Sequence, residues 1–115
     1  MNFEIIFYKN ERGSSPIEEF LVKLAGINEI LFNQTSKAIE KIKNKASHRE
    51  PLSKHLESGL WELRVKAGTD ILRILFTFEK GQRIIFLHIF IKKDQKTPAK
   101  ELEIARRRLK ELKGG

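Results

Sequence analysis

The sequence contains no cysteine among its 115 residues. This absence excludes a disulfide scaffold, a thiol nucleophile and a zinc site with cysteine ligands. No apolar run is long enough to cross a bilayer, and residues 1–9 lack the basic and then apolar layout of a secretory signal. We therefore expect a protein of the cytoplasm that makes no contact with a membrane.

Motifs for metal or phosphate chemistry are also missing. The sequence has no glycine-rich phosphate loop and no HExxH motif. Its three histidines, His48, His55 and His88, are not spaced like metal ligands, and no acidic cluster accompanies them. We therefore expect neither a bound metal nor another cofactor.

Positive charge is abundant and is concentrated in the second half of the chain. The formal net charge is +8. Residues 1–59 carry 9 Lys and Arg against 8 Asp and Glu, whereas residues 60–115 carry 14 against 7. A basic surface attracts polyanions through their phosphates. It is equally typical of a solvated surface that only aids solubility, and charge alone does not decide between the two.

The first half of the chain predicts one strand and two helices. Strand-forming residues predict a strand at 3–8. Apolar residues at helical spacing predict a helix over 16–26 and a second helix over 27–45. The apolar face of the second helix is predicted to contain Ile27, Ile30, Leu31, Thr35, Ala38, Ile39 and Ile42. Residues 46–59 contain proline, serine and glycine and are interpreted as a loop.

The second half predicts three strands and a final helix. The strands cover residues 60–66, 71–79 and 83–91, and short turns join them into an antiparallel meander. Thr97 and Pro98 are predicted to cap a helix that runs to Leu112. The sequence therefore predicts a single α+β domain over residues 1–115. Its sheet is antiparallel-dominated, with about four strands, and packs against two N-terminal helices and a C-terminal helix.

Basic side chains interrupt or follow the apolar strands. Arg64 projects from the polar face of its strand, and Arg73 lies within the apolar strand that follows. Lys92, Lys93 and Lys96 come directly after the third strand, ahead of a helix N-terminus that favours anions. On one side of the sheet these groups would hold a phosphodiester, since arginine forks bind phosphate. Alternatively, acidic neighbours on a solvated face pair with them, the candidates being Glu62, Glu79 and Asp94.

The final helix carries three consecutive arginines, Arg106, Arg107 and Arg108. Consecutive residues fan around a helix rather than line one face. Three interpretations stay open: contact with RNA phosphates, docking to an acidic protein partner, and solubility alone.

Two aromatic residues and one histidine in the strands are further candidates. Trp61 and Phe86 would either stack on a base or join the core, and we expect core. By strict alternation, His88 falls in register with Ile84, Phe86 and Phe90 on one face. It is either hydrogen-bonded and half-buried, which we favour, or a proton-transfer group at the edge of a cleft.

Several segments between residues 59 and 107 resemble a known toxin family. They are Gly59-Leu60-Trp61-Glu62-Leu63-Arg64, Arg73 in its apolar strand, Phe86-Leu87-His88-Ile89-Phe90-Ile91-Lys92-Lys93, Gln95-Lys96-Thr97-Pro98, and the run from Glu101 to Arg107. These segments are similar to the HigB branch of the RelE/ParE toxin superfamily. The predicted order of elements also resembles the RelE-like fold.

The resemblance implies a toxin of a type II toxin–antitoxin system that cuts messenger RNA in the ribosomal A site. The ribose 2′-OH would attack the adjacent phosphate with no metal. By position, the resemblance assigns catalysis to Arg64, Arg73, Lys93 and Lys96. The further residues predicted to contact RNA are Lys66, Lys92, His88, Arg106 and Arg107. The tyrosine that RelE toxins place in the last third of the chain is absent, because Tyr8 is the only tyrosine. Its proton-transfer role would fall to His88 or to a lysine.

The resemblance also implies partners. They are a HigA-like helix-turn-helix antitoxin, messenger RNA, the ribosome, and operator DNA reached through the antitoxin. Two alternatives stay open, because a fold does not fix a function. One is a ParE-like toxin that inhibits DNA gyrase, and the other is a non-enzymatic basic module that binds RNA or a protein.

Overall fold

The computed structural model describes residues 2–92 and 96–114. Within these residues there are three α-helices, one short 3-10 helix and five β-strands. The helices are α1 (Pro16–Ile27), α2 (Glu29–Ile42) and α3 (Ala99–Leu112), and the 3-10 helix covers Lys45–Ser47. The strands are β1 (Glu4–Phe7), β2 (Ser53–Glu57), β3 (Leu60–Ala67), β4 (Asp70–Glu79) and β5 (Arg83–Lys92).

The five strands form one sheet in the order β1-β5-β4-β3-β2. Strands β2, β3, β4 and β5 pair with one another in antiparallel fashion, whereas β1 pairs with β5 in parallel. The predicted α+β class and the antiparallel-dominated sheet are therefore confirmed. The prediction of about four strands is corrected to five.

The additional strand is β2, which lies where the sequence predicted a loop. Ser53, Lys54 and His55 are polar and give no strand pattern, yet they pair with Leu63, Glu62 and Trp61 of β3 in sequence. β2 is an edge strand, so it has one neighbour and one exposed edge. Charged residues are common on such edges because they discourage pairing with other chains. The tertiary position, rather than strand propensity, explains this strand.

A single residue, Asn28, ends the first helix and begins the second. Its backbone N–H donates to the Leu24 carbonyl at 2.8 Å, and its side-chain Oδ1 accepts from the Leu31 N–H at 3.1 Å. The predicted start of α1 is confirmed, since Ser15 Oγ accepts from the Glu18 N–H at 3.2 Å. The helix runs past Gly26 to Ile27, because the asparagine supplies both caps.

Two residues predicted for the apolar face of α2 are exposed instead. Ile27 and Ile30 are 82% and 71% exposed. They lie at the connection between the two helices, and the buried residues of α2 begin only at Leu31. Thr35, Ala38 and Ile42 are buried, so the remainder of that predicted face packs as expected; Ile39 is partly buried against the same core.

The helices cover the two faces of the sheet. Helices α1 and α2 pack against the face that carries Leu63, Leu72, Ile74 and Phe86. Helix α3 packs on the opposite face, where the buried residues are Leu60, Leu75, Ile85, Leu87, Phe90, Ala105 and Leu109. Phe86 is fully buried, as predicted, and Trp61 packs at the margin of the first core. None of the helices among the described residues has the length and apolarity needed to span a membrane.

An irregularity in β5 moves His88 to the α3 face. Leu75 pairs with His88, but the next residue of β4, Phe76, pairs with Phe86. The extra residue on β5 makes a bulge, which reverses the alternation beyond it. The prediction that His88 shares a face with Ile84 and Phe86 is therefore wrong.

Candidate nucleic-acid site

The register of β3 and β4 brings the two strand arginines together. Arg64 pairs directly with Arg73 across the antiparallel ladder. Directly opposed residues point to the same face of a sheet. Both side chains therefore lie on the face of the sheet that packs against α3. The turn of this short hairpin contains Gly68, whose φ is 64°.

One buried carboxylate, that of Glu62, lies against both guanidinium groups. Its Oε1 is 3.2 Å from Arg64 Nε, and its Oε2 is 3.7 Å from Arg73 Nη1. The Glu62 side chain is only 2% exposed. A buried carboxylate is costly unless charged partners and hydrogen bonds compensate for lost hydration. Two guanidinium groups and the Thr97 hydroxyl therefore compensate for the burial of this carboxylate.

A third contact ties the same carboxylate to the start of α3. The hydroxyl of Thr97 donates to Glu62 Oε2 at 2.8 Å. Thr97 was predicted to cap α3, but the N-cap position is occupied by Pro98, which makes no side-chain cap bond. The prediction is therefore confirmed for Pro98 and wrong for Thr97, because the buried carboxylate, rather than the helix N-terminus, takes the threonine hydroxyl.

The two arginines differ in their access to solvent. The Arg73 side chain is completely buried, whereas that of Arg64 is 21% exposed. A ligand at the surface therefore meets Arg64, while Arg73 lies beneath it. The arginines thus share one face and also pair with Glu62, but the pairing is buried rather than on a solvated face. Of the other two predicted partners, Glu79 pairs with Arg83, and Asp94 lies outside the described residues.

Two of the predicted lysines lie next to the arginine pair on the sheet. Lys66 and Lys92 are exposed, and both pair with Ile71 of β4, one on each side. They therefore lie on the same sheet face as Arg64, one row further along. Lys96 is exposed just before α3, and Lys93 lies outside the described residues.

An open groove of about 560 Å³ begins at Arg64 and Lys66. We call it the edge groove. Its other described lining residues are Lys41, Ala46, Ser47, Arg49, Glu50, Pro51 and Leu52. Four cationic side chains and one carboxylate line it, so its net charge is positive. The sequence analysis missed Lys41 and Arg49, because residues 41 and 49 lie far from Arg64 along the chain and only the fold brings them together.

His88 is enclosed between the sheet and α3. Its Nε2 is 2.7 Å from Glu101 Oε1, its ring stacks on Phe90, and Arg108 Nη1 lies 3.5 Å from Nδ1. Burial lowers the pKa of His88, and Arg107 and Arg108 act in the same direction, against the raising effect of Glu101. A neutral ring then donates Nε2–H to Glu101. The half-buried, hydrogen-bonded interpretation of His88 is confirmed.

The three consecutive arginines of α3 make different contacts. Arg106 binds Glu57 with two hydrogen bonds, from Nε at 2.9 Å and from Nη2 at 2.7 Å. Arg108 donates to the Leu87 carbonyl at 2.8 Å and lies over the ring of Tyr8. Arg107 is exposed. Arg106 and Arg108 therefore attach α3 to the sheet, and Arg107 projects into solvent.

A comparison with known protein families identifies the family of this chain. A family model described as phage-derived protein Gp49-like (DUF891) matches residues 20–110, which is most of the chain. The chain belongs to the Gp49-like family. This family consists in general of RelE/HigB-type toxins of toxin–antitoxin systems. Membership therefore implies, in general, an antitoxin partner. A search of curated proteins gave no match.

The matched region of this Gp49-like protein contains the complete arginine cluster. Arg64, Arg73, Glu62 and Thr97 all fall within residues 20–110. Among the described residues, no group of three His, Asp or Glu side chains is arranged to hold a metal ion.

We expect the enclosed histidine to make the stability of this Gp49-like protein dependent on pH. The folded state binds a proton at His88 less tightly than the unfolded chain, because burial lowers the pKa. Below the unfolded pKa of about 6.5 the unfolded chain binds more protons, so the free energy of unfolding falls as pH falls. We expect urea unfolding to show lower stability at about pH 5.5 than at about pH 7.5.

The variant His88→Gln should reduce this difference in stability between the two pH values. The matched control is His55→Gln, which removes an exposed histidine of β2 and should leave the difference in place. An undiminished difference in His88→Gln would show that other groups cause the acid sensitivity.

Proposed function

We propose that this Gp49-like toxin is a ribosome-dependent endoribonuclease that cuts messenger RNA through attack by the ribose 2′-OH. The observation that supports this most is the arginine pair. Arg64 and Arg73 come from neighbouring strands, lie on one face and share Glu62. Arg64 also lines a groove whose described residues carry four cations and one carboxylate, and such a groove favours a polyanion.

The reaction that fits such a site needs little from the protein. The 2′-oxygen forms a bond to phosphorus while the bond from phosphorus to the 5′-oxygen breaks. The 2′-OH gives up its proton, and the departing 5′-oxygen takes one up. The products are a 2′,3′-cyclic phosphate and a 5′-hydroxyl. The protein contributes alignment of the hydroxyl and stabilisation of the charge that develops on the phosphate oxygens.

Within this proposal, Arg64 binds the scissile phosphate because it is the partly exposed member of the pair. Glu62 holds the Nε edge of its guanidinium, and buried Arg73 and Thr97 hold Glu62 in turn. Arg73 thus acts through Glu62 as a positioning residue. Lys93 and Lys96 would stabilise charge on the leaving 5′-oxygen.

The proposed RNA contacts differ in accessibility. Lys66, Lys92 and Arg107 are exposed cations that reach solvent. Arg106 would have to exchange its two bonds to Glu57 for a phosphate. His88 would have to break its bond to Glu101 before it could move a proton or contact RNA.

A lysine is therefore the better candidate for proton transfer. Tyr8 does not replace the missing tyrosine, since it donates to Glu111 at the far end of α3. His88 is engaged with Glu101, whereas Lys66, Lys92 and Lys96 are exposed beside the arginine pair.

The proposed partners follow from this activity. They are a HigA-like helix-turn-helix antitoxin, the ribosome with its messenger RNA, and operator DNA bound through the antitoxin. The proposed location is the cytoplasm, where translating ribosomes occur.

The test of this function is which process stops first after the toxin is induced. We expect incorporation of labelled amino acids to stop before DNA synthesis does. Primer extension should map cuts within translated messages, and the new fragments should begin with a 5′-hydroxyl. Early loss of DNA supercoiling with intact messages would instead identify a gyrase inhibitor. Intact messages with intact supercoiling would indicate a binding module without enzymatic activity.

A further inference from the structure

The edge groove is lined by two further basic side chains besides Arg64 and Lys66. Lys41 is in the last turn of α2, and Arg49 lies in the segment between the 3-10 helix and β2. Both are exposed. Neither Lys41, Arg49 nor Lys66 forms an ion pair with a carboxylate among residues 2–92 and 96–114. Their charges are therefore directed toward solvent within one concave surface.

We propose that Lys41 and Arg49 form a second phosphate-binding position for the RNA strand whose scissile phosphate lies at Arg64. This inference rests on the proposed function. The groove is continuous from Arg64 and Lys66 to Lys41 and Arg49, so one strand would contact both ends. Single-stranded RNA carries a phosphate at every nucleotide, and a basic groove that follows the backbone is the usual way to hold it.

The lining residues also indicate what this position recognises. None of the nine described lining residues is aromatic, so the groove offers no ring on which a base could stack. Lysine and arginine contacts to phosphates position a strand but carry no sequence information. Lys41 and Arg49 therefore add affinity that is independent of base sequence.

A polynucleotide fits this groove better than an acidic protein segment does. Protein interfaces depend on a core of apolar and aromatic anchors. The apolar residues in the described lining are Ala46, Pro51 and Leu52, and none of these three is aromatic. Charge is the main property of the groove, and four cations against Glu50 suit repeated phosphates.

The experiment measures binding of the full chain to a single-stranded 2′-O-methyl RNA that lacks the attacking hydroxyl and stays uncut. Fluorescence anisotropy over a series of salt concentrations gives both the affinity and its salt dependence. Each lost contact to a single strand lowers the slope of log K against log salt by about 0.7, which is about fivefold in affinity at 0.1 M salt. We expect Lys41→Ala/Arg49→Ala to lower the slope by about 1.4 and the affinity by about 25-fold.

The matched control is Arg12→Ala/Lys80→Ala, which removes one exposed arginine and one exposed lysine from turns outside the groove. This control should bind like the wild type.

Several results would overturn the proposal. The groove variant could bind RNA with the affinity and salt slope of the wild type, or lose no more affinity than the control does. The wild type could show no salt-dependent RNA binding. The groove variant could also lose affinity for purified antitoxin while its RNA binding is unchanged. Failure of the proposed function has a different signature, namely messages that stay intact after the wild-type protein is induced. If Arg64→Ala abolishes cleavage while the groove variant binds normally, only the second position is disproved.

Discussion

Replacement of Arg64 by alanine is expected to reduce the rate of message cleavage by about 10²–10³-fold. Arg64 is the partly exposed guanidinium of the pair, so it is the group that a phosphate at the surface would meet. The variant Arg64→Lys should recover only part of the activity. Lysine keeps the charge but loses the planar fork that holds phosphate oxygens. The measurement is the cleavage rate of translated messenger RNA by purified protein.

The fold of the Arg64→Ala variant is the necessary control. Glu62 keeps its contacts with Arg73 and Thr97 in this variant, and water reaches the vacated position because Arg64 is 21% exposed. The loss of stability should therefore be smaller than in Arg73→Met, and antitoxin binding should persist. Arg12→Ala removes an exposed arginine elsewhere and should leave cleavage unchanged. Full cleavage by a folded Arg64→Ala variant would remove Arg64 from the mechanism.

Replacement of Arg73 by methionine is expected to destabilise the protein by about 3–5 kcal/mol, because it leaves a buried carboxylate with one charged partner fewer. Arg73 is fully buried and Glu62 is 2% exposed, so water does not replace the lost interaction. The free energy of unfolding in urea measures the effect. This variant is for that reason a test of stability first and of catalysis only if it folds.

A double variant separates the ion pair from simple packing. In Glu62→Leu/Arg73→Met both buried charges are gone, and the loss of stability should be much smaller than in Arg73→Met alone. The double variant should nevertheless lose cleavage, because Glu62 then no longer holds the Arg64 guanidinium. Equal destabilisation of the single and double variants would mean that Arg73 stabilises the sheet by packing rather than through Glu62.

The sequence was sufficient to predict that Arg64 and Arg73 share one face of the sheet, because local geometry determines this part of the candidate site. Strand alternation put Arg64 on the polar face of β3, and a short hairpin with Gly68 brought it opposite Arg73. The period of two and the turn are both local properties. The helix start at Ser15 was likewise predictable from neighbouring residues.

The features that sequence reasoning missed depend on contacts distant along the chain. The bulge in β5 is not visible in an alternating pattern, so His88 was placed on the wrong face. The burial of Arg73 depends on Glu62, and that of Glu62 on Thr97, which lies 35 residues away. The strand β2 exists because β3 offers it an edge, although its own residues favour no strand.

The parallel pairing of β1 with β5 has a consequence for synthesis of the toxin. Residues 4–7 are synthesised well before their hydrogen-bonding partners, residues 83–86. β1 therefore stays without this neighbour until the chain has grown by a further 79 residues. Closing so long a loop carries an entropic cost, and such distant contacts slow folding. The nascent chain thus cannot complete its sheet until β5 has left the ribosome, so a cell that makes this protein has an interval before the finished fold forms.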